Sequence, residues 1–439
     1  MKRGAQYGRL PFSLWRKQEH FSENGMTVCQ AVVSAPLTKS SNSARSGKAT
    51  LLVPDKDADG LSSGVILRRT LTTLGLPTNL ISTHIVTKGS SIHDPSERDL
   101  MSTTYKPSYV IVLDQGSRAG PPLIDNPSTE SLILDHHLSD AFPENAVVVS
   151  ACHYPPVATT SLLTYLICAP LHPSPTLFEE TCAYLACIGT HGDLGNTLKW
   201  LPPFPDLTPT LKQHTKKAIN DAVSLVNAPR RTARYDVLSA WSALLASTSP
   251  KDLLTNPRLL EARAEINEEV ERHTHTPPKF TPDGRIAVLR IHTPAQVHPV
   301  IATRWAGYLN SKALEIVMVA NSGYLPGVVN FSCRVARCAR ARAAEGEGKD
   351  VNIIESLKAA AGLSTDGLGE RLGESFARGH REASGGIVPV AAFEELMGLL
   401  RVGEKVEREK DEAPKKKRGK MVGNGSPQKN NLGNYFQKA

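Results

Sequence analysis

The sequence predicts an α/β protein: a mostly parallel sheet, a helical connector, and a smaller second α/β unit. Three observations lead there. Short apolar runs of β type at 51–53, 110–113 and 132–134 alternate with helical stretches between 49 and about 200. Each of these runs stops abruptly at acidic or imidazole groups, as expected where parallel strands deliver functional side chains at their carboxyl ends. From 207 to about 275 the pattern is amphipathic and helical; Pro277-Pro278 then breaks it, and a strand-like run at 286–291 begins the second unit.

Taken in chain order, 1–47 is a basic segment ending in a Ser/Lys/Arg-rich approach to the first strand. Residues 48–205 form the first α/β domain, with helices expected at 65–76, 159–166 and 177–188. Residues 206–280 form the connector. Residues 281–403 form the second unit, with strands at 313–319 and 327–331 and a closing helix at 390–400. Residues 404–439 are charged and rich in Gly, Asn and Ser, so disorder is the expectation there.

Composition narrows the function. A chain of 439 residues with 40% hydrophobic and 21% charged side chains is expected to be a soluble protein of two or three domains, with no membrane partner. No apolar stretch approaches the roughly 18 residues of a membrane span. The seven cysteines contain no C-x-x-C pair, which argues against a zinc ribbon or a disulfide framework. From Glu404 onward ten Lys/Arg face five Asp/Glu, so +5 of the +8 net charge lies in the tail and the body is nearly neutral.

The chemistry lies in four motifs. They are Asp55-Lys56-Asp57-Ala58-Asp59-Gly60, Asp114-Gln115-Gly116, Asp135-His136-His137, and His191-Gly192-Asp193. If they converge, so many carboxylates repel one another unless divalent cations neutralise them. Two ions about 3.5–4 Å apart suit phosphodiester hydrolysis, and imidazole beside carboxylates tilts the choice toward Mn²⁺ with Mg²⁺ as the alternative. Singly, each motif also has a bland reading as a turn or a structural histidine.

As an ordered set the motifs resemble the DHH phosphoesterase superfamily, in its RecJ-like form, over about 50–400. The resemblance implies that Asp55, Asp57 and Asp114 hold one ion. It implies that Asp59, Asp114, His136 and Asp193 hold the other, with Asp114 bridging. Asp135 would orient the histidine pair and His137 would face the scissile phosphate. His191 departs from the common pattern, with a ligand role and a structural role both open.

In the second unit, 379–386 resembles the glycine-rich signature of the DHH-associated domain, with Arg378 replacing one leading glycine. That implies a substrate-binding role for Gly379, His380, Gly385 and Gly386, and for the Ser332-x-Arg334 pair. The run 227–231 (Asn-Ala-Pro-Arg-Arg) is a further, less specific RecJ-like feature.

The tail carries Lys415, Lys416, Lys417 and Arg418, read as a nuclear localisation signal, or alternatively as a basic linker. The spacing of Leu432, Tyr435 and Phe436 resembles the motif that binds the sliding clamp PCNA, although Lys429 occupies its glutamine position. The expected function is a nuclear Mn²⁺/Mg²⁺-dependent phosphodiesterase on single-stranded nucleic acid, a RecJ-like 5′–3′ exonuclease of DNA replication or repair. Alternatives are an oligoribonucleotide or cyclic dinucleotide phosphodiesterase, a non-catalytic replication-fork scaffold, and a mitochondrial or cytoplasmic location.

Overall fold

The computed structural model describes residues 48–404. The basic N-terminal segment, the nuclear signal and the clamp-like motif lie outside the described residues.

The first sheet has five parallel strands in the order β2-β1-β3-β4-β5. They are β1 (Thr50–Pro54), β2 (Ile81–Thr83), β3 (Tyr109–Leu113), β4 (Glu130–Asp135) and β5 (Ala146–Ser150). Every residue of β1 and β3 is buried, as strands covered on both faces must be. The period of two sorts their side chains. Leu52, Ile111, Leu113, Leu132 and Leu134 enter the large core beneath α1 (Ala58–Thr73), α3 (Thr160–Cys168) and α4 (Pro175–Leu194). Leu51, Val53, Val110, Val112 and Ile133 enter a second layer with Met101 of α2 (Pro95–Tyr105). The strand order reverses between β1 and β3, and a crevice opens at the carboxyl ends of such a pair.

The first helix begins at Ala58, seven residues before the predicted start at 65. The cause is local: Asp57 accepts hydrogen bonds from the Asp59 and Gly60 amides and so caps the helix. Part of the expected acidic loop is therefore helix, and Asp59 sits in its first turn. The fourth motif likewise lies in the last turns of α4.

Of the connector helices α5 (Thr208–His214), α6 (Lys216–Asn227), α7 (Val237–Ala246) and α8 (Pro250–Leu254), the last three contribute Ile219, Leu225, Trp241 and Leu253 to the large first core, and Leu211 of α5 packs against it. Only α9 (Pro257–Thr274) bridges, with Leu259 in the first core and Ile266 and Val270 in the second.

The second sheet is mixed, in the order β10-β11-β9-β8-β7-β6. Its strands are β6 (Lys279–Phe280), β7 (Ile286–Ile291), β8 (Ile316–Asn321), β9 (Val328–Val335), β10 (Arg378–His380) and β11 (Ala383–Pro389). Its helices are α10 (His298–Tyr308), α11 (Arg337–Ala344), α12 (Ile353–Ala361), α13 (Leu368–Leu372) and α14 (Val390–Leu399). Among the described residues, no helix is long and apolar enough to cross a membrane.

Candidate metal centre

The acidic groups meet at the β1/β3 crevice. Asp114 ends β3 in a left-handed backbone conformation (φ 65°), which Asp tolerates better than most residues and which turns its carboxylate toward the segment after β1. Gly60 closes that segment tightly, because a Cβ there would stand 2.7 Å from the Asp55 backbone. Oxygens of Asp55, Asp57 and Asp114 lie within 4.8 Å of one another, and a second such group joins Asp59, Asp114, His136 and Asp193. A third joins Asp114, His136 and His137, and Asp114 belongs to all three.

The surroundings fix these groups while leaving their charge unanswered. The amides of Thr160 and Ser161, opening α3, donate to Asp59 at 2.7 and 3.0 Å, and the Thr160 hydroxyl donates to Asp114 at 2.9 Å. Burial, then the neighbouring Asp193 carboxylate, pushes Asp59 up to about 6. Burial, then Asp59, raises Asp114 well above the carboxylate range. The His136 Nε2 lies 2.9 Å from Asp193, 3.2 Å from Asp114 and 3.9 Å from Asp59, yet makes a well-formed hydrogen bond with none of them. A buried nitrogen surrounded by three carboxylates, with no proper acceptor, fits a cation in place of a proton. The donor set is hard oxygen plus one imidazole, which suits Mn²⁺ or Mg²⁺.

Asp135 is fully buried and supports the pair. Its Oδ1 accepts from the His136 amide at 2.8 Å and from His137 Nδ1 at 2.8 Å; its Oδ2 accepts from the Ser117 hydroxyl at 2.6 Å. Burial opposes its charge, but these bonds win and hold it below the ordinary carboxylate value. With Nδ1–H committed to Asp135, His137 offers Nε2 outward from a side chain that is 55% exposed. His191 is occupied elsewhere. Its Nδ1 meets Asn220 at 2.9 Å and its Nε2 accepts from Trp200 Nε1 at 3.4 Å, so it ties α4 to α6 and to the following loop.

A cleft of about 1400 Å³ separates the two lobes. Asp55, Asp114, Asp135 and His137 line one wall; Gly379, His380, Arg378, Arg381 and Lys358 line the other. Gly385 and Gly386 are not among the residues that line it. They lie in β11, where a Cβ would meet the Phe331 carbonyl at 2.3 Å and the Ser375 carbonyl at 2.8 Å, so their smallness serves strand packing. Ser332 and Arg334 also stand away from this lining. Arg334 Nη1 donates to the Ser332 hydroxyl at 2.8 Å, so the serine aims the arginine.

Arg334 belongs to a basic group with Arg230 and Arg231. Arg230 reaches Asp57 at 3.9 Å and donates to Asn227, whose side chain also accepts from the Ala58 amide. Burial, then neighbouring Arg230, lowers Arg231 to about 9. Burial, then Arg334 and Arg231, drives the enclosed His298 down to about 3 and leaves its Nδ1 without a partner. Thr160 and Ser161 carry no motif signal in the sequence, and the 227–231 run does not reveal that Asn227 joins this basic group to the first helix.

Residues 49–190 match the family described as DHH family, N-terminal domain. No curated protein matches the chain. Among solved structures, RecJ of Thermus thermophilus in complex with Mn²⁺ is similar at TM-score 0.56 and 17% identity, covering 87% of this chain and 54% of that one. The chain thus spans about half the length of that relative. An exonuclease RecJ bound to manganese is similar at TM-score 0.52 and 17% identity, with 87% and 93% covered. The DHH domain of a member of the s1p family of ribosomal proteins is similar at TM-score 0.59 and 12% identity, with 90% and 93% covered. At these identities the likeness is one of fold.

Proposed function

From a chain that carries a DHH-family N-terminal domain within a RecJ-like fold, and so the fold of a metal-dependent phosphoesterase, we propose a phosphodiesterase that hydrolyses single-stranded nucleic acid. It acts as a 5′–3′ exonuclease in DNA replication or repair. The observation that carries the reading is the set of donor groups sharing Asp114, beside a His136 Nε2 that faces carboxylates without a well-formed hydrogen bond. Asp55, Asp57 and Asp114 would hold one cation; Asp59, Asp114, His136 and Asp193 would hold the other. Two such ions, Mn²⁺ first and Mg²⁺ as the alternative, would neutralise phosphoryl charge and make water acidic enough to attack.

The chain's own groups do the rest. Burial opposes protonation of His137, but Asp135, accepting from Nδ1, raises the imidazole above its ordinary value, so the imidazolium Nε2–H would donate to the scissile phosphate's oxygens from the cleft side. Gly379 and His380 hold the strand against the opposite wall. Arg231 and Arg334, aimed by Ser332, present guanidinium groups to a terminal phosphate beside Asp57.

The test offers the full chain with Mn²⁺ to end-labelled DNA and RNA strands, short oligonucleotides and cyclic dinucleotides. Stepwise mononucleotide release from one end of long strands is the expected result. Products from the shortest substrates alone would replace this reading with an oligonucleotide or cyclic dinucleotide phosphodiesterase. No hydrolysis by folded, metal-loaded protein would leave the replication-fork scaffold.

The tail extends the proposal to a nuclear enzyme recruited by the sliding clamp. Tyr435→Ala with Phe436→Ala abolishes clamp binding while hydrolysis is unchanged; retained binding in a pull-down with purified clamp refutes the motif.

A further inference from the structure

The cleft's catalytic wall carries one arginine or lysine among the described residues that line it, Arg118, on the loop after β3. It follows Ser117, whose hydroxyl holds Asp135, so its backbone is anchored one residue from the support of His137. Its guanidinium does not face solvent alone. Nη1 lies 3.2 Å from Glu374 Oε2, on the loop between α13 and β10 of the other lobe. Both residues line the cleft, so this ion pair spans the substrate's path.

Its energetics decide what it can be. Arg118 is 45% exposed and Glu374 is 76% exposed, and pairs this wet contribute about 0–1 kcal/mol. A contact so weak does not clamp two lobes together. A planar guanidinium on the same cleft wall as His137 is, however, well shaped for a phosphate, which it can grip with two parallel bonds. Glu374 offers the same fork a carboxylate of like geometry and charge. It therefore holds the guanidinium in the cleft until a phosphate takes its place.

We propose that Arg118 is the catalytic lobe's own contact to a substrate phosphate and that Glu374 is its resident competitor. A strand entering the cleft exchanges the interlobe ion pair for an arginine–phosphate pair. This rests on the phosphodiesterase reading and adds a binding group to it.

Opposite signs test it. In the full-length protein with Mn²⁺, Arg118→Ala raises KM for a single-stranded oligonucleotide about tenfold with little change in kcat. Arg118→Lys, which keeps the charge without the fork, falls between. Glu374→Gln lowers KM about threefold, because it removes a rival. The double variant matches Arg118→Ala alone, since Glu374 acts only through Arg118. A structural latch gives another pattern, with both single variants loosening the cleft and moving KM in the same direction. That result, or an unchanged KM in Glu374→Gln, overturns the proposal. Equilibrium binding of the same oligonucleotide, by fluorescence anisotropy, is measured in parallel. If the parent protein hydrolyses nothing, the phosphodiesterase reading falls, and the signs of the binding shifts decide this proposal separately.

Discussion

The two poles beside Asp57 are opposites built from one problem. At the acidic pole, carboxylates crowd at the strand ends until burial and mutual repulsion raise Asp59 and Asp114. At the basic pole, Arg231, Arg334 and His298 crowd until burial lowers all three, with like charge adding to it at Arg231 and His298. They differ in how firmly they are held. Asp59 takes two helix amides and Asp135 takes bonds on both oxygens, so the acidic pole is preorganised. Arg334 is steered by one hydroxyl and one carbonyl, and His298 Nδ1 has no partner. The acidic pole is thus the more rigidly held of the two.

The largest effect that would break this contrast is at Asp114. Asp114→Asn removes the group common to both donor sets, and hydrolysis falls by about three orders of magnitude or more. The same change relieves repulsion, so in chelator the variant's Tm rises by about 2–4 °C. Mn²⁺ at about 100 times its Kd stabilises the parent by about 2.7 kcal/mol and the variant much less. Calorimetry with and without Mn²⁺ checks both; a variant less stable than its parent in chelator would mean the carboxylates are not in conflict.

A smaller effect is expected at the basic pole. Arg334→Met raises KM about tenfold for a 5′-phosphorylated strand and leaves a 5′-hydroxyl strand nearly unchanged. Equal losses on both would remove the terminal-phosphate assignment from the pole.

The smallest effect comes from a buried carboxylate that is fully partnered. Glu97 meets His84 Nε2 at 2.8 Å and accepts from the Thr87 amide at 3.0 Å, holding the loop that carries His93 to the cleft. Burial works to raise its pKa, but these bonds prevail and the group lies below its ordinary value. A depressed carboxylate stabilises the fold above the unfolded pKa, about 4.3, and loses that contribution as pH falls through the folded value. Glu97→Gln therefore costs about 1 kcal/mol at neutral pH, and the difference from the parent shrinks below about pH 4. Urea unfolding at both pH values measures it. A constant difference would show that shape, not charge, is what Glu97 supplies.

How much is legible in the sequence depends on how local the cause is. An apolar run ending in Asp is local, so β1, β3 and β4 and their terminal acids can be read directly. The N-cap at Asp57 is also local, but an acidic ligand pattern hides it, and it moves the helix start. Gly385 and Gly386 show the opposite difficulty. A glycine pair reads equally as a phosphate loop or as close packing, and only the neighbouring Phe331 decides.

By itself, the sequence determined the α/β alternation, the order of the acidic motifs and the chemistry their residue types suit, because periodicity and strand ends are set within a few residues. Only the tertiary structure decided that the Thr160 and Ser161 amides hold Asp59, that His191 is taken by Asn220 and Trp200, and that Arg118 meets Glu374 across the cleft. Most of those contacts join residues tens to hundreds of positions apart. Their cause is the strand order and the closing of two lobes, which no short stretch of chain encodes.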